Sequence, residues 1–218
     1  MLSGGCYNDA PYVTQWTDTN GVRQRCPYFT TWMSMVTRAY SETFKRTNPT
    51  YINTVTSEEW KLFSNFKSWM ETQVWQYDGE KLELDKDLLV KDCQIYSKET
   101  CVFIPKFLNV LLNDCRLSRG ELPIGVSYQK PSPTMVNERT KPYYSYIRSS
   151  GKTVRFGYHA DPLSAHRAWQ QGKVDEMEKC IDRYSKLPYY NESVEIALQS
   201  RVEKLKQDYA FCVETIKL

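Results

Sequence analysis

Residues 81–112 read KLELDKDLLVKDCQIYSKETCVFIPKFLNVLL, and this stretch decides the fold class. Leu82 and Leu84 alternate with charged residues, the period of a half-buried strand, and Leu88 or Val90 would extend it. A turn near Lys91 and Asp92 then leads to a short apolar strand over Cys101–Ile104. Pro105 suits the first position of a helix, where its missing N–H has no partner to lose, and KFLNVLLNDCRL continues that helix until Gly120. Two short strands followed by a helix predict a ββα unit in an α+β chain.

Working outward, the chain before residue 80 is helical and aromatic. Trp32, Met35, Val36 and Tyr40 recur at helical spacing, and Asn48-Pro49 breaks the pattern. A second helix is expected from Ser57, with Glu58 and Glu59 favourably placed in its first turn. Its stripe of Trp60, Phe63, Phe66, Trp69 and Met70 reads as a core face. After Gly120 the pattern returns to strands. The segment 125–159 predicts a three-stranded meander, connected through residues 129–142 and through a tight hairpin at Ser149–Lys152. Asp161 and Pro162 then supply the N-cap and first position of a helix that turns Ala165, Trp169 and Met177 towards the sheet. A last helix, about Ser193 to Ile216, carries Leu198, Val202, Leu205, Tyr209, Cys212 and Ile216 at heptad spacing. That spacing admits a homodimer seam, but fewer than three heptads are present, so intramolecular packing is the preferred reading. The organisation expected is a helical lobe over 1–79, the ββα core over 80–120, a sheet–helix module over 121–187 and a C-terminal helix over 188–218.

Composition narrows the function. The 218 residues carry 29 Lys+Arg, 26 Asp+Glu and two His, a net charge of +3. Ten basic residues against three acidic ones fall between Arg116 and Lys173, a local balance of +7 that leaves −4 for the rest. Such asymmetry points to a polyanion-binding module on a mildly acidic body. No run of 18 apolar residues exists to span a bilayer. The start, MLSGGC, lacks the basic region and apolar stretch of a secretory leader. Seven cysteines without a C-x-x-C pair read as reduced thiols in a cytoplasmic protein. His159 and His166 belong to the sheet–helix module and read as partly exposed hydrogen-bonding residues.

The pointed cluster is Asp85-Lys86-Asp87 at a strand end, with Asn109 on the following helix. Phosphodiester hydrolysis needs a hard cation to neutralise the phosphate. Carboxylate and amide oxygens suit Mg²⁺ or Mn²⁺, which keep most of their waters.

The order L-D-K-D, then Y-S-x-x-T-C-V-F, then a helical Asn resembles the core of phage HNH-type (ββα-metal) endonucleases. Trp32, Met35, Arg38 and Tyr40, with Glu59, Trp60, Phe63, Phe66 and Trp69, resemble the leader of that group. The segment with Gly125-Val126, Tyr144 to Ile147, Gly151-Lys152, Arg155 to Gly157 and Ala165 to Trp169 resembles an APETALA2-like DNA-binding domain. The resemblance implies a metal-dependent DNA endonuclease of homing type, nicking or cutting double-stranded DNA. It places a metal-binding acid at Asp85 and the cation-holding amide at Asn109. Lys86 falls where many HNH enzymes have the general-base histidine. A lysine is protonated at neutral pH unless strongly desolvated. Either Asp87 then substitutes as base, or Lys86 serves as a phosphate clamp. The sheet is expected to meet the major groove through Tyr144, Tyr146, Arg148, Lys152 and Arg155, with 144, 146 and 148 on one face by alternation. The alternative is the same scaffold with a decayed centre, binding DNA or inhibiting a host defence or nuclease through a host protein partner.

Overall fold

The structure, a computed structural model, describes residues 2–113, 120–130, 139–149 and 152–218 and is of mixed α and β content. The chain forms two compact units, Met1–Pro105 and Lys106–Leu218. In the first, strands β1 (Gln15–Thr17) and β2 (Arg23–Arg25) lead into helix α1 (Pro27–Tyr40), then α2 (Glu42–Thr47), β3 (Val55–Thr56) and α3 (Phe63–Glu71). Strands β4 (Gln76–Tyr77), β5 (Glu80–Lys81), β6 (Glu83–Asp85), β7 (Ile95–Tyr96) and β8 (Val102–Ile104) complete it. The second unit holds α4 (Lys106–Leu112), β9 (Val126–Tyr128), β10 (Tyr143–Ser149), β11 (Lys152–His159), α5 (Pro162–Ser185) and α6 (Glu192–Ala210). The expected order of two strands and a helix is present in β6, β8 and α4. The unit boundary falls inside that segment, between Pro105 and Lys106.

The core of the first unit is aromatic. Helix α1 buries Phe29, Trp32, Met35, Val36 and Ala39 on one stripe. Phe63 of α3 meets Phe29 edge-on at 5.4 Å and Trp32 at 5.5 Å. Trp60, Phe66 and Trp69 contact one another, and Trp69 stacks on Phe103 of β8 at 5.6 Å. The one polar atom of the buried Trp32 is matched, its indole N–H donating to the Trp60 carbonyl at 2.8 Å.

Two elements of the first unit differ from expectation. The second helix begins at Phe63 rather than at Ser57, after a 3₁₀ turn over Glu59–Lys61. The reason lies far off in sequence. The Tyr7 main chain brackets Leu62, donating to Lys61 and accepting from Phe63, so Leu62 is extended. The Asp9 carboxylate then caps the helix, accepting from the Ser64 N–H at 2.8 Å and its hydroxyl at 2.5 Å. Burial pushes the Asp9 carboxyl up, but the Ser64 hydrogen bonds outweigh it and hold the group below its ordinary value. The strand expected over 81–90 is also shorter. Asp78 and Gly79 both take positive φ (48° and 78°) and close a β4–β5 hairpin, the turn that Asp-Gly favours. Strand β6 pairs antiparallel with β8, Leu84 opposite Phe103, and stops at Asp85. Leu88 is buried nonetheless, whereas Val90 is exposed. Strand β3 pairs in parallel with β7, Thr56 beside Tyr96, so the aromatic lobe and the strands after residue 80 are one packed unit.

In the second unit the strands form a meander in the order β11-β10-β9, and α5 packs on one face. Asp161 caps α5 through the Ser164 N–H at 2.8 Å and Pro162 opens it, as expected. Ala165, Trp169 and Met177 are buried with Val126, Ser145 and Ile147 of the sheet. Two glycines let helix and sheet approach. A Cβ on Gly125 (φ +76°) would fall inside the Trp169 indole, and one on Gly172 inside the Phe156 ring.

Helix α6 packs along α5, with Val194, Leu198, Val202 and Leu205 wholly buried. Three of the heptad residues, Leu198, Val202 and Leu205, are therefore already covered within the unit, whereas Tyr209 is half-buried. The helix ends at Ala210 rather than near Ile216, and Cys212 and Ile216 are exposed. The tail folds back instead. The Thr215 N–H donates to His166 Nε2 at 3.0 Å, and the Gln170 amide donates to the Val213 carbonyl and the Thr215 hydroxyl. Because Nε2 accepts, His166 Nδ1 carries the proton and donates to the Ile124 carbonyl at 2.9 Å. His166 is thus wholly buried, not partly exposed, and ties strand, helix and tail together. No helix among the described residues is long and apolar enough to cross a membrane.

Candidate functional site

The sheet face opposite α5 is aromatic and cationic. Alternation places Ser145 and Ile147 inward, so Tyr144, Tyr146 and Arg148 point outward together. Cross-strand pairing sets Tyr158 beside Tyr144, Arg155 beside Tyr146 and Thr153 beside Arg148. The Tyr144 ring stacks on Tyr146 at 6.0 Å and meets Tyr158 at 5.7 Å. Arg148, Arg155 and Tyr158 are exposed, and Tyr144 and Tyr146 are half-buried by their neighbours.

Arg155 and Tyr158 share this face only because the register shifts. One residue, Ser145, lies opposite two, Phe156 and Gly157, and Gly157 takes φ +102° to accommodate the bulge. Simple alternation along β11 puts residues 155 and 158 on opposite faces, so Tyr158, which was not among the sequence candidates, reaches this face only through the bulge. The glycine before Tyr158 was the available signal. Lys152 belongs elsewhere. It pairs with Ser149, whose hydroxyl donates to Glu176 on α5, so Lys152 shares the helix side of the sheet.

The basic segment also divides. Lys173 is buried, its ammonium donating to the Leu111 carbonyl and lying 5.8 Å from the Trp169 ring centre. Arg167 stacks its guanidinium on Tyr209 at 4.4 Å and donates to the Tyr209 carbonyl. Lys130, Arg139, Lys141, Arg148, Lys152 and Arg155 remain exposed, while Arg116 and Arg119 lie outside the described residues.

In the first unit, Asp85, Lys86 and Asp87 form a tight turn. Asp85 Oδ1 accepts from the N–H groups of Asp87 at 2.8 Å and Leu88 at 2.7 Å, which ends β6. Burial raises the Asp85 carboxyl above its ordinary value despite these bonds. The Lys86 side chain is 6% exposed. Its ammonium donates to both Asp87 oxygens, at 2.7 and 2.8 Å, and to the Cys93 carbonyl at 2.7 Å. The rings of Tyr51 and Tyr96 flank it at 5.6 and 5.8 Å. Three donors thus have three acceptors, and none is left for a phosphate clamp. Asp87 is exposed, but its carboxylate is held by the ammonium.

Around this turn, burial raises the Tyr96 phenol even with the Arg38 guanidinium hydrogen-bonded to it. Burial likewise pushes the Cys101 thiol up to about 12, so it stays protonated at neutral pH. Asn109 is half-buried on α4, in the second unit, whereas Asp85 belongs to the first. Among the described residues no group of three or more His, Cys, Asp or Glu is placed to hold a metal ion. The six described cysteines are free thiols, and Cys115 lies outside the described residues.

Comparison of the chain with protein-family models, with curated proteins and with solved structures found no match.

Proposed function

We propose that the chain binds double-stranded DNA through the outer face of the three-stranded sheet, as an HNH-like protein with an APETALA2-like module, and cleaves a phosphodiester bond with a divalent ion. One observation carries the binding half of this reading: Tyr144, Tyr146, Arg148, Arg155 and Tyr158 share one outward face of a sheet whose other face is filled by α5. A row of tyrosines and arginines is a poor hydrophobic face and a good match to phosphates and base edges, and sheets do enter DNA grooves. Arg148 and Arg155 supply planar forks for phosphate or guanine, and the phenols supply hydroxyls and flat surfaces.

For hydrolysis, the donor chemistry fits a hard cation. Asp85 commits one carboxylate oxygen to the chain turn and retains a second. Mg²⁺ commonly takes one or two protein carboxylates and completes its shell with water and substrate phosphate. When bound, such an ion would neutralise the phosphate and lower the pKa of a coordinated water. Asp85 anchors it in this reading, and Lys86 and Asp87 hold the shape of the turn.

A second reading, DNA binding without cleavage, is favoured by the Lys86–Asp87 pair. It occupies both positions expected to assist the chemistry, and a positioned base contributes about 10²–10⁴ in rate. A plasmid-nicking assay with Mg²⁺ or Mn²⁺ separates the two. Cleavage that disappears in Asp85→Ala and Asn109→Ala supports the enzyme; binding with no cleavage under either ion supports the binder. The binding claim has its own test in the salt dependence of duplex affinity. With the five exposed cations other than Lys152 engaged, the log–log slope should be about −4.5, and Arg148→Gln with Arg155→Gln should flatten it by about 1.8. Lys173→Gln, which removes a buried charge, should leave the slope unchanged.

A further inference from the structure

The first unit presents a cationic surface of its own, built from residues outside the segment where basic residues concentrate in the sequence. Strands β1 and β2 form a two-stranded ribbon exposed on most of both faces. Its register pairs Gln15 with Arg25 and Thr17 with Arg23, so these four side chains share one face. All four are exposed. None of the ion pairs among the described residues includes Arg23 or Arg25.

The nearest acid in sequence is occupied by the turn. Asp18 Oδ1 accepts from the N–H groups of Asn20 and Val22, both at 2.9 Å, and Oδ2 accepts from the Gln24 amide at 2.8 Å. The turn closes with Gly21 at φ +77° and the Asp18 N–H on the Val22 carbonyl. At the other end, buried Thr14 and Cys26 join through a backbone bond of 2.9 Å, and Pro27 begins α1 immediately afterwards. The ribbon is therefore braced at tip and base while its polar face stays open.

We infer that this ribbon is a second duplex-binding element, its Gln15, Thr17, Arg23 and Arg25 face entering a DNA groove. The inference rests on the reading of DNA as partner, but on different residues. Charge complementarity selects the occupant: two guanidinium groups without an ion pair among the described residues, on a ribbon face that carries no acid of its own, flanked by an amide and a hydroxyl that can donate and accept. The dimensions agree. A two-stranded ribbon fits a major groove about 12 Å wide, and residues two apart on a strand are spaced about 6.6 Å, roughly two 3.4 Å steps of one DNA strand.

The test measures binding of the full chain to a short fluorescent duplex between about 50 and 200 mM salt. Arg23→Gln with Arg25→Gln should flatten the log–log slope by about 1.8, equivalent at 0.1 M salt to a loss of about 60-fold from counterion release alone. Arg23→Lys with Arg25→Lys should retain the slope, because it keeps the charges, and controls for any effect of substitution on folding. A Gln pair with wild-type affinity and slope overturns the proposal and leaves an acidic protein surface as the ribbon's partner. If the Arg148 and Arg155 variants lose binding while the ribbon variants do not, the ribbon inference alone falls. The reverse result sinks the sheet reading and keeps the ribbon. A wild-type chain that does not bind duplex overturns both.

Discussion

In the first unit the cation at position 86 is folded inward, paired with Asp87, bonded to the Cys93 carbonyl and flanked by two tyrosine rings. In the second unit Arg148 and Arg155 stand outward beside tyrosines, on a sheet whose inner face is packed by α5. The same charge serves opposite ends. An ammonium removed from water needs an acceptor for each donor, and once satisfied it shapes the chain and is unavailable to a ligand. A guanidinium left in water costs little to keep there and remains free to meet a phosphate. Tyrosines accompany both kinds of cation, so aromatic neighbours do not distinguish them; burial does.

The contrast can be broken or sharpened in four ways. The largest effect is expected at the packing that turns the sheet outward. Gly125→Ala combines a strained positive φ with overlap on Trp169 and should cost roughly 3–5 kcal/mol in urea unfolding. A loss under about 1 kcal/mol would show that Trp169 does not seat α5 on the sheet. Next, Lys86→Ala strands the Cys93 carbonyl and empties the space between Tyr51 and Tyr96, so a cost of about 3 kcal/mol is expected. Arg155→Ala, on the open face, should change stability by less than about 0.5 kcal/mol. Similar costs for the two would remove the contrast.

A smaller effect tests the tertiary cap on α3. Asp9→Ala should cost about 1 kcal/mol at neutral pH. The folded carboxyl titrates below its ordinary value, so the contribution is complete above the unfolded pKa, about 3.9, and is lost as pH falls through the folded one. The difference in Tm between the two proteins should therefore shrink in acid; a constant difference would mean that the charge is irrelevant. The smallest concerns Asp85, where the sign is opposite. Its folded pKa is raised, so the ionised group opposes folding above that pKa, and stability recovers as pH falls through it towards the unfolded value. Asp85→Asn, which can keep the two backbone bonds, should raise Tm slightly at neutral pH without divalent ions. Added Mg²⁺ should stabilise the wild-type chain and not the variant. An Asn variant that melts lower would show that the carboxylate itself holds the turn.

Much of the second unit was legible in the sequence. Asp161-Pro162 located the start of α5, the meander followed from strand patterning, and Ala165, Trp169 and Met177 were correctly assigned to the interior. These signals lie within a few residues of the structures they specify. The start of α3 was not legible, because its cap comes from Asp9, 55 positions earlier. Tyr158 was missed because a bulge at Gly157 changes the face of every residue beyond it. Among the candidate site residues, 144, 146 and 148 were placed together by alternation alone, whereas Lys152 fell on the other side and Lys86 turned inward.

The amino-acid order by itself determined the α+β class, the helical periods, the Asp161 cap of α5 and the concentration of positive charge, since each follows from neighbours along the chain. Only the tertiary structure decided which cations face water, which heptad residues are already covered and where a helix can begin. Those outcomes depend on groups tens of residues apart competing for the same hydrogen bonds and the same buried volume.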